Sequence, residues 1–289
     1  MLIDGGFGVT AVVTRPVRPK GRGNKPSSPI VRDIALDAGI RVFQPEKPSD
    51  IYGEIEGLSV DLCVTAAYGA ILKERFLRIP KYGTINVHAS LLPAYRGASP
   101  IHQALLNGDA VTGVTTMLTE RGVDTGPILL SESLEIPPGM CFQELHDKLA
   151  QLGAIVLCKT IPAYLAGNLR PVPQDDSMAS RAPVIVKRDG DLDFTQNAAA
   201  LVNKVRAFGV WPGTSAFISG KKIKICAAEC GGDINAASVN KQEAGAVAVV
   251  SRRALSVVCG DNKLFNITRL QFENGRAMDI SECWHNLRF

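Results

Sequence analysis

The sequence predicts an α/β protein in which a parallel-sheet domain precedes a small antiparallel β-barrel. Short β-branched or apolar runs, such as residues 9–14 and 84–90, are separated by stretches of helical pattern, which is typical of βαβ units. Residues 168–190 are rich in proline and in polar and charged side chains, as expected of an interdomain linker. Short alternating strands follow, and this spacing favours a small barrel.

The elements follow in order along the chain. In the first domain, which we assign to residues 1–167, we predict strands and helices from apolar periodicity: strands at 9–14, 40–45, 61–69, 84–90, 113–119 and 126–136, and helices at 30–39 and 142–167. After the 168–190 linker, the second domain (191–289) is predicted to hold a helix at 197–209 and strands at 214–220, 221–229, 244–251, 254–260 and 263–271.

Composition excludes several classes of protein. The 289 residues are 46% apolar and 21% charged, with a net charge of +4, which is ordinary for a globular chain. Seven scattered cysteines without zinc-like spacing predict reduced thiols and no metal. The sequence has neither a membrane-spanning run nor the features of a signal or transit peptide. We therefore expect a soluble monomer without a membrane partner.

The most informative stretch is INVHASLLPAYRGASP, residues 85–100. Asn86 and His88 are two residues apart on a predicted strand, so their side chains project from the same face. Asp124 follows on a loop between Gly122 and Gly126, and a carboxylate there would favour the charged form of His88. Taken singly, each residue also fits a structural role: a histidine at a strand end, an aspartate in a turn.

Together these motifs, with TGVTTM and GVDTGPIL, resemble the folate-dependent formyltransferases. The resemblance implies a Rossmann-like catalytic domain followed by an OB-like barrel that binds tRNA, with Asn86, His88 and Asp124 as the catalytic set. It implies that 10-formyltetrahydrofolate is the formyl donor, contacted by Ser90, Leu91, Leu92 and Pro93, and that the backbone of 67–71 lines the pterin pocket. Asn86 and His88 would stabilise the oxyanion and His88 would protonate the leaving folate nitrogen.

The loop at residues 14–29 points to the acceptor. It carries five basic residues and no acid: Arg15, Arg18, Lys20, Arg22 and Lys25. It resembles the insertion with which the tRNA-formylating branch of the family contacts the acceptor end of tRNA, and the segments VRAFGVWPGT and LQFENGRAMDISEC resemble that branch's second domain. We therefore expect initiator methionyl-tRNA as the partner and acceptor. A solvated basic loop is the alternative interpretation of the charges.

Other functions stay open at this point. A small-substrate formyltransferase acting on a nucleotide sugar, a formyltetrahydrofolate hydrolase, and an inactive tRNA- or folate-binding protein all fit parts of the pattern. The aromatic residues Phe208, Trp211 and Phe217 are compatible with stacking on tRNA, but core positions are the expectation for them.

The sequence departs from the family at its start. The family opens with a strand, a glycine-containing loop and a helix ahead of the 9–14 strand, so the resemblance implies that a βα unit of roughly two dozen residues is missing. We expect the neighbouring strands then to lack backbone partners. Segments such as DLCVTAAYG resemble organellar versions, which suggests a mitochondrial or plastid home, with a bacterial cytoplasm as the alternative.

Overall fold

The computed structural model describes residues 1–20, 25–233 and 243–287. The chain forms two compact units: the first comprises residues 1–98, 113–134 and 149–181, and the second comprises 99–112, 135–148 and 182–289. The division into 1–167, 168–190 and 191–289 remains a prediction. Among the described residues, no helix is both long enough and apolar enough to cross a membrane.

The elements of the chain up to residue 165 are a mixture of strands and helices, which include the predicted ones and several short elements that the sequence analysis did not predict. They are β1 (Ala11–Val13), β2 (Arg18–Lys20), β3 (Lys25–Ser27), α1 (Ile30–Asp37), β4 (Arg41–Phe43), α2 (Tyr52–Gly57), β5 (Cys63–Ala66), α3 (Glu74–Leu77), β6 (Thr84–His88), β7 (Arg96–Gly97), α4 (Pro100–Asn107), β8 (Val111–Leu118), β9 (Ile128–Glu135) and α5 (Phe142–Leu165).

The sheet of the first unit is divided into two parts. Strands β1 and β4 form a parallel pair, and a four-stranded sheet has the order β5-β6-β8-β9. Strand β6 runs parallel to β5 and antiparallel to β8. Within the part of the chain that is described, β1 and β5 each lie at an end of their sheet.

Apolar packing holds the four-stranded sheet against α5. Ile85 of β6 and Leu129 of β9 are buried with Leu157 and Ile161 of α5, so one face of the sheet is covered by this helix. The apolar stripe of α1 is covered less completely: Ala35 is buried, whereas Ile30, Val31 and Ile34 are exposed.

Residues from 182 onward make up most of the second unit. After β10 (Arg181–Ala182), the elements are α6 (Ala198–Ala207), β11 (Thr214–Ile218), β12 (Lys221–Asp233), β13 (Val247–Val250), β14 (Leu255–Val258), β15 (Lys263–Phe272), β16 (Ala277–Asp279) and α7 (Ile280–Cys283). Strands β11-β12-β15-β14-β13 form an antiparallel sheet to which β16 adds through β15. This is the antiparallel second half that the sequence predicted.

Local chemistry explains how this unit is ordered. Asn197 caps α6, because its side-chain oxygen accepts the Ala200 N–H at 2.7 Å. Register shifts along β12 against β15 mark bulges, which increase the twist of the sheet. The inward side chains of the strands and α6 form one continuous core that includes Leu201, Ile223 and Phe265.

Candidate active site

The carboxyl end of β6 carries the two residues that the sequence singled out. Asn86 and His88 lie on the same face of this strand because they are two positions apart. Each is paired across the sheet: Asn86 faces Met117 and His88 faces Thr115 on β8. The His88 side chain is only 6% exposed, so the sheet and its loops set the environment of the imidazole.

A neighbouring strand fixes the orientation of the Asn86 carboxamide. Thr65 of β5 lies opposite Asn86 in the register, and its hydroxyl donates to the Asn86 Oδ1 at 2.8 Å. The oxygen of the amide is therefore held on the Thr65 side, and the NH₂ group is the side that offers hydrogens. A donor in this orientation suits an anionic oxygen.

The His88 ring lies between two acceptors. Its Nε2 is 2.9 Å from the backbone carbonyl oxygen of Tyr95, and since a carbonyl only accepts, Nε2 carries the hydrogen in this contact. Its Nδ1 is 3.6 Å from the Asp124 Oδ2. A ring protonated on both nitrogens thus has an acceptor on each side.

The loop after β8 brings Asp124 to this position. Asp124 has a left-handed backbone, with φ of 52°, and its Oδ2 also accepts the Gly97 N–H at 2.8 Å. A Cβ at Gly126 would overlap the carbonyl oxygen of Leu118, so only glycine lets the loop return this close to β8. The sequence predicted a glycine-flanked loop here, and the structure brings its carboxylate to His88.

The predicted folate-contacting segment, Ser90 to Pro93, is anchored to β8. The Thr115 hydroxyl donates to the Ser90 carbonyl at 2.8 Å and accepts the Leu92 N–H at 3.1 Å. The Ser90 hydroxyl donates to the Ala94 carbonyl at 2.6 Å. These bonds hold the turn directly after His88.

The Leu91 side chain of that segment lies against β8. A Cβ at Gly113 would press into the Leu91 side chain and overlap the carbonyl oxygen of Glu132. Glycine at position 113 therefore lets Leu91 and β9 approach β8 at the same point.

The second predicted folate element, residues 67–71, follows β5. Ala67 has φ of 47° and Gly69 has φ of 69°, so the chain turns sharply there, and Ile71 is 80% exposed. Burial raises the pKa of Tyr68, while the positive charge of Arg15 acts in the opposite direction.

The basic loop itself is partly described. Arg18 and Lys20 lie on β2 and Lys25 lies on β3, and the two strands form an antiparallel hairpin with Lys20 opposite Lys25. The sequence analysis had described this stretch only as a basic loop. Arg22 falls outside the described residues, so its predicted contact with tRNA stays a prediction, as does that of the other four.

Several residues of this site were missed by sequence reasoning. Thr65, Thr115 and the Tyr95 carbonyl all touch the predicted set, but none belongs to a recognisable motif by residue type. Thr65 had a usable signal: it precedes the carboxyl end of a strand that neighbours β6. In the described part of the chain, no cluster of metal-ligating side chains is present.

Both halves of the chain match known protein families. Residues 3–161 match the Formyl transferase family and residues 184–288 match the Formyl transferase C-terminal domain. The methionyl-tRNA formyltransferase of Ruminiclostridium cellulolyticum is 42% identical over 98% of this chain and 90% of its own length. That of Caldanaerobacter subterraneus subsp. tengcongensis is 43% identical over 97% of this chain and 90% of its own length.

Solved structures share the fold at much lower identity. The sugar 3N-formyl transferase WlaRD, crystallised with dTDP and 5-N-formyl-THF, superposes with a TM-score of 0.67 at 17% identity, covering 95% of this chain and 92% of WlaRD. An N-formyltransferase from Helicobacter canadensis superposes with a TM-score of 0.65 at 16% identity, covering 92% of each chain. At this low identity, the two structures show that the fold is shared.

Proposed function

This chain belongs to the formyltransferase family, and we propose that it transfers the formyl group of 10-formyltetrahydrofolate to the amino group of methionyl initiator tRNA. One observation carries the proposal: methionyl-tRNA formyltransferases are 42–43% identical to this chain over nearly its whole length, including both halves. The folate is the donor co-substrate, and the reaction as proposed needs no metal.

The site geometry supports a mechanism for this transfer. When the amine attacks the formyl carbon, a tetrahedral oxyanion forms, and the NH₂ group of Asn86 is oriented by Thr65 to donate to it. The Nε2 hydrogen of His88 is held by the Tyr95 carbonyl, so we assign the proton transfer to Nδ1. The carboxylate of Asp124 stabilises the positive charge on the ring.

The proton and bond changes balance. The amine nitrogen forms a bond to the formyl carbon, the bond from that carbon to N10 of the folate breaks, and N10 takes the proton from His88 Nδ1. The amine loses one proton, which returns to the site through water. The products are a formamide and tetrahydrofolate, and His88 is reprotonated for the next turnover.

A surface on the second unit supports a nucleic-acid acceptor. Alternate residues of the β11–β12 hairpin are exposed on one face: Phe217 is 69% exposed and lies opposite Lys222, and Lys224 lies opposite Ser215. The Lys222 Nζ is 5.9 Å from the Phe217 ring centroid. Aromatic rings beside lysines are typical of surfaces that contact nucleic acid.

Trp211 is half exposed, so for Trp211 and Phe217 the expected core position was wrong, whereas Phe208 is buried as expected.

The first experiment compares acceptors. Purified protein with 10-formyltetrahydrofolate is offered methionyl initiator tRNA, uncharged tRNA, or an amino sugar nucleotide, and formyl transfer is followed with a labelled formyl group. We expect label only on the methionyl-tRNA. Label on the sugar, or release of formate without any acceptor, would instead favour a small-substrate transferase or a hydrolase.

The second experiment tests the proposed tRNA surface. The double variant Lys222→Gln/Lys224→Gln removes two positive charges, so the dependence of tRNA affinity on salt should fall by about two units of log–log slope. A matched variant, Lys148→Gln/Lys159→Gln on α5, removes the same charge from another surface and should leave the slope unchanged. Equal slopes for both variants would remove this surface from the proposal.

The location of the protein in the cell remains a prediction. The relatives described above come from bacteria, and they do not test the mitochondrial or plastid location that the sequence suggested. The monomeric state is likewise a prediction, and sedimentation of the purified chain tests it.

A further inference from the structure

Two loops supply the acceptors that flank the His88 ring, and each does so from an unusual backbone conformation. Tyr95, whose carbonyl faces Nε2, has φ of 61°, and Asp124, whose carboxylate faces Nδ1, has φ of 52°. Residues other than glycine adopt left-handed backbone at a cost. Something in the structure must therefore hold both residues in place.

The segment of residues 174–180, which we name the clamp segment, contacts both loops. Its Ser180 is hydrogen-bonded to the loop of Tyr95: the Ser180 hydroxyl accepts the Tyr95 N–H at 2.9 Å, and the Ser180 carbonyl accepts the Arg96 N–H at 2.9 Å. The Ser180 N–H donates to the Pro93 carbonyl at 3.3 Å. The peptide on each side of Tyr95 is thereby fixed.

The other end of the clamp segment holds the loop of Asp124. The Gln174 Nε2 donates one hydrogen to the Asp124 carbonyl at 2.9 Å and the other to the Gly126 carbonyl at 2.7 Å. Both hydrogens of the Gln174 amide are thus used on the one turn that presents the carboxylate.

Arg96 contacts both ends of the clamp segment, because its backbone N–H donates to the Ser180 carbonyl and its side chain reaches Gln174 and Asp176. Its Nε donates to the Gln174 Oε1 at 3.0 Å, and its terminal nitrogen bonds the Asp176 carboxylate at 2.8 Å. The Arg96 side chain is only 12% exposed. Because Arg96 directly follows Tyr95, this contact couples the loop on one side of His88 to the loop on the other.

We propose that the clamp segment, which the sequence marks only as an interdomain linker, orients the His88 imidazole by fixing its two acceptors, with Gln174 and Ser180 as positioning residues. The proposal deepens the function given above and rests on it for its effect on rate. Neither residue touches the reacting atoms; each acts through Tyr95 or Asp124. Composition hides this role, because polar residues between prolines are what a linker contains.

The decisive variant is Gln174→Glu. It keeps the size of the side chain and its acceptor for Arg96, but it replaces the NH₂ donor with an oxygen that faces two carbonyl oxygens. We expect the Asp124 turn to move away and the rate of single-turnover formyl transfer to fall by about 10- to 100-fold, as for a displaced orienting group. The dissociation constant for tetrahydrofolate should change little, because the one hydrogen bond described here between the clamp segment and a predicted folate element joins Ser180 to Pro93, and Gln174→Glu leaves that bond in place. Ser180→Ala should also lower the rate, by a smaller factor.

Controls separate positioning from loss of fold. Gln151→Glu makes the same chemical change at an exposed site on α5 and should leave rate and melting temperature unaltered. Ser180→Thr keeps the hydroxyl and should recover most of the rate lost in Ser180→Ala. A Gln174→Glu rate within about twofold of wild type, or a loss matched by an equal loss of folate affinity, would overturn the proposal.

A second readout does not depend on activity. The chain has four histidines, so the ¹⁵N signals of the His88 ring can be assigned with the variant His88→Gln. In Gln174→Glu and Ser180→Ala these signals should shift, because the Asp124 carboxylate near Nδ1 or the Tyr95 carbonyl bonded to Nε2 is displaced, while the other three histidines stay unmoved. Unshifted His88 signals would refute the proposal that the clamp segment orients the His88 ring. If the signals shift in a protein that formylates no tRNA, the proposed function is refuted, but the role of the clamp segment in orienting His88 is supported.

Discussion

Replacing Asp124 with asparagine tests the electrostatic core of the site with the least change in shape. The Asp124 Oδ2 is 3.6 Å from the His88 Nδ1, and the two side chains are 17% and 6% exposed. Two unit charges at this separation interact by about 4–5 kcal/mol at an effective dielectric constant of ~20. Asparagine retains an oxygen that can accept the Gly97 N–H, so part of the loop geometry survives.

We therefore expect Asp124→Asn to fold normally and to lose transition-state stabilisation of about 3–4 kcal/mol, which corresponds to a fall of roughly 100- to 1000-fold in rate. The assay is rapid-quench single-turnover transfer with both substrates saturating, so that chemistry is measured apart from binding. Asp37→Asn, an exposed change on α1, is the control. A rate for Asp124→Asn within fivefold of wild type, in a protein with an unchanged melting temperature, would refute the role of charge at this position.

Three further predictions concern other parts of the molecule. Gly126→Ala should destabilise the fold by about 2–4 kcal/mol in urea unfolding, because its Cβ overlaps a backbone carbonyl; Gly122→Ala meets only a movable threonine side chain and should cost less than half as much. Burial lowers the pKa of His102, although a backbone hydrogen bond acts in the opposite direction. The unfolded chain therefore binds a proton at this histidine more readily than the folded chain, so the free energy of unfolding should fall as the pH drops below about 6.5. The fall should be smaller in His102→Gln. Burial raises the pKa of Cys259 to about 12, so iodoacetamide at pH 8 should label exposed Cys230 at least tenfold faster by mass spectrometry; equal labelling would contradict the buried position.

Local sequence patterns were sufficient to identify the elements that carry the site. The alternation in TINVH predicted a strand with Asn86 and His88 on one face, and β6 runs from Thr84 to His88. Such a prediction succeeds because side-chain direction in a strand depends only on neighbouring residues. The glycines around Asp124 likewise predicted a tight loop from local backbone freedom.

Apolar periodicity was less informative about burial. The stripe of α1 has the helical pattern that usually marks a covered face, yet Ile30, Val31 and Ile34 are exposed. Phe208 and Phe217 look alike in sequence, but one is buried and the other projects from the outer face of β11. Burial depends on which elements pack together, and a pattern within one element does not contain that information.

The sequence by itself determined the principal strands, the long helix before the linker, the face shared by Asn86 and His88, and the family to which the chain belongs. Only the tertiary structure decided that Thr65 orients the Asn86 amide, that the Tyr95 carbonyl holds His88, and that Gln174 supports the Asp124 turn from 50 residues away. The physical reason is that these contacts join backbone carbonyls and common polar side chains across long stretches of chain. A carbonyl is present at every residue, so its role is set by where the fold places it and leaves no mark in the residue type.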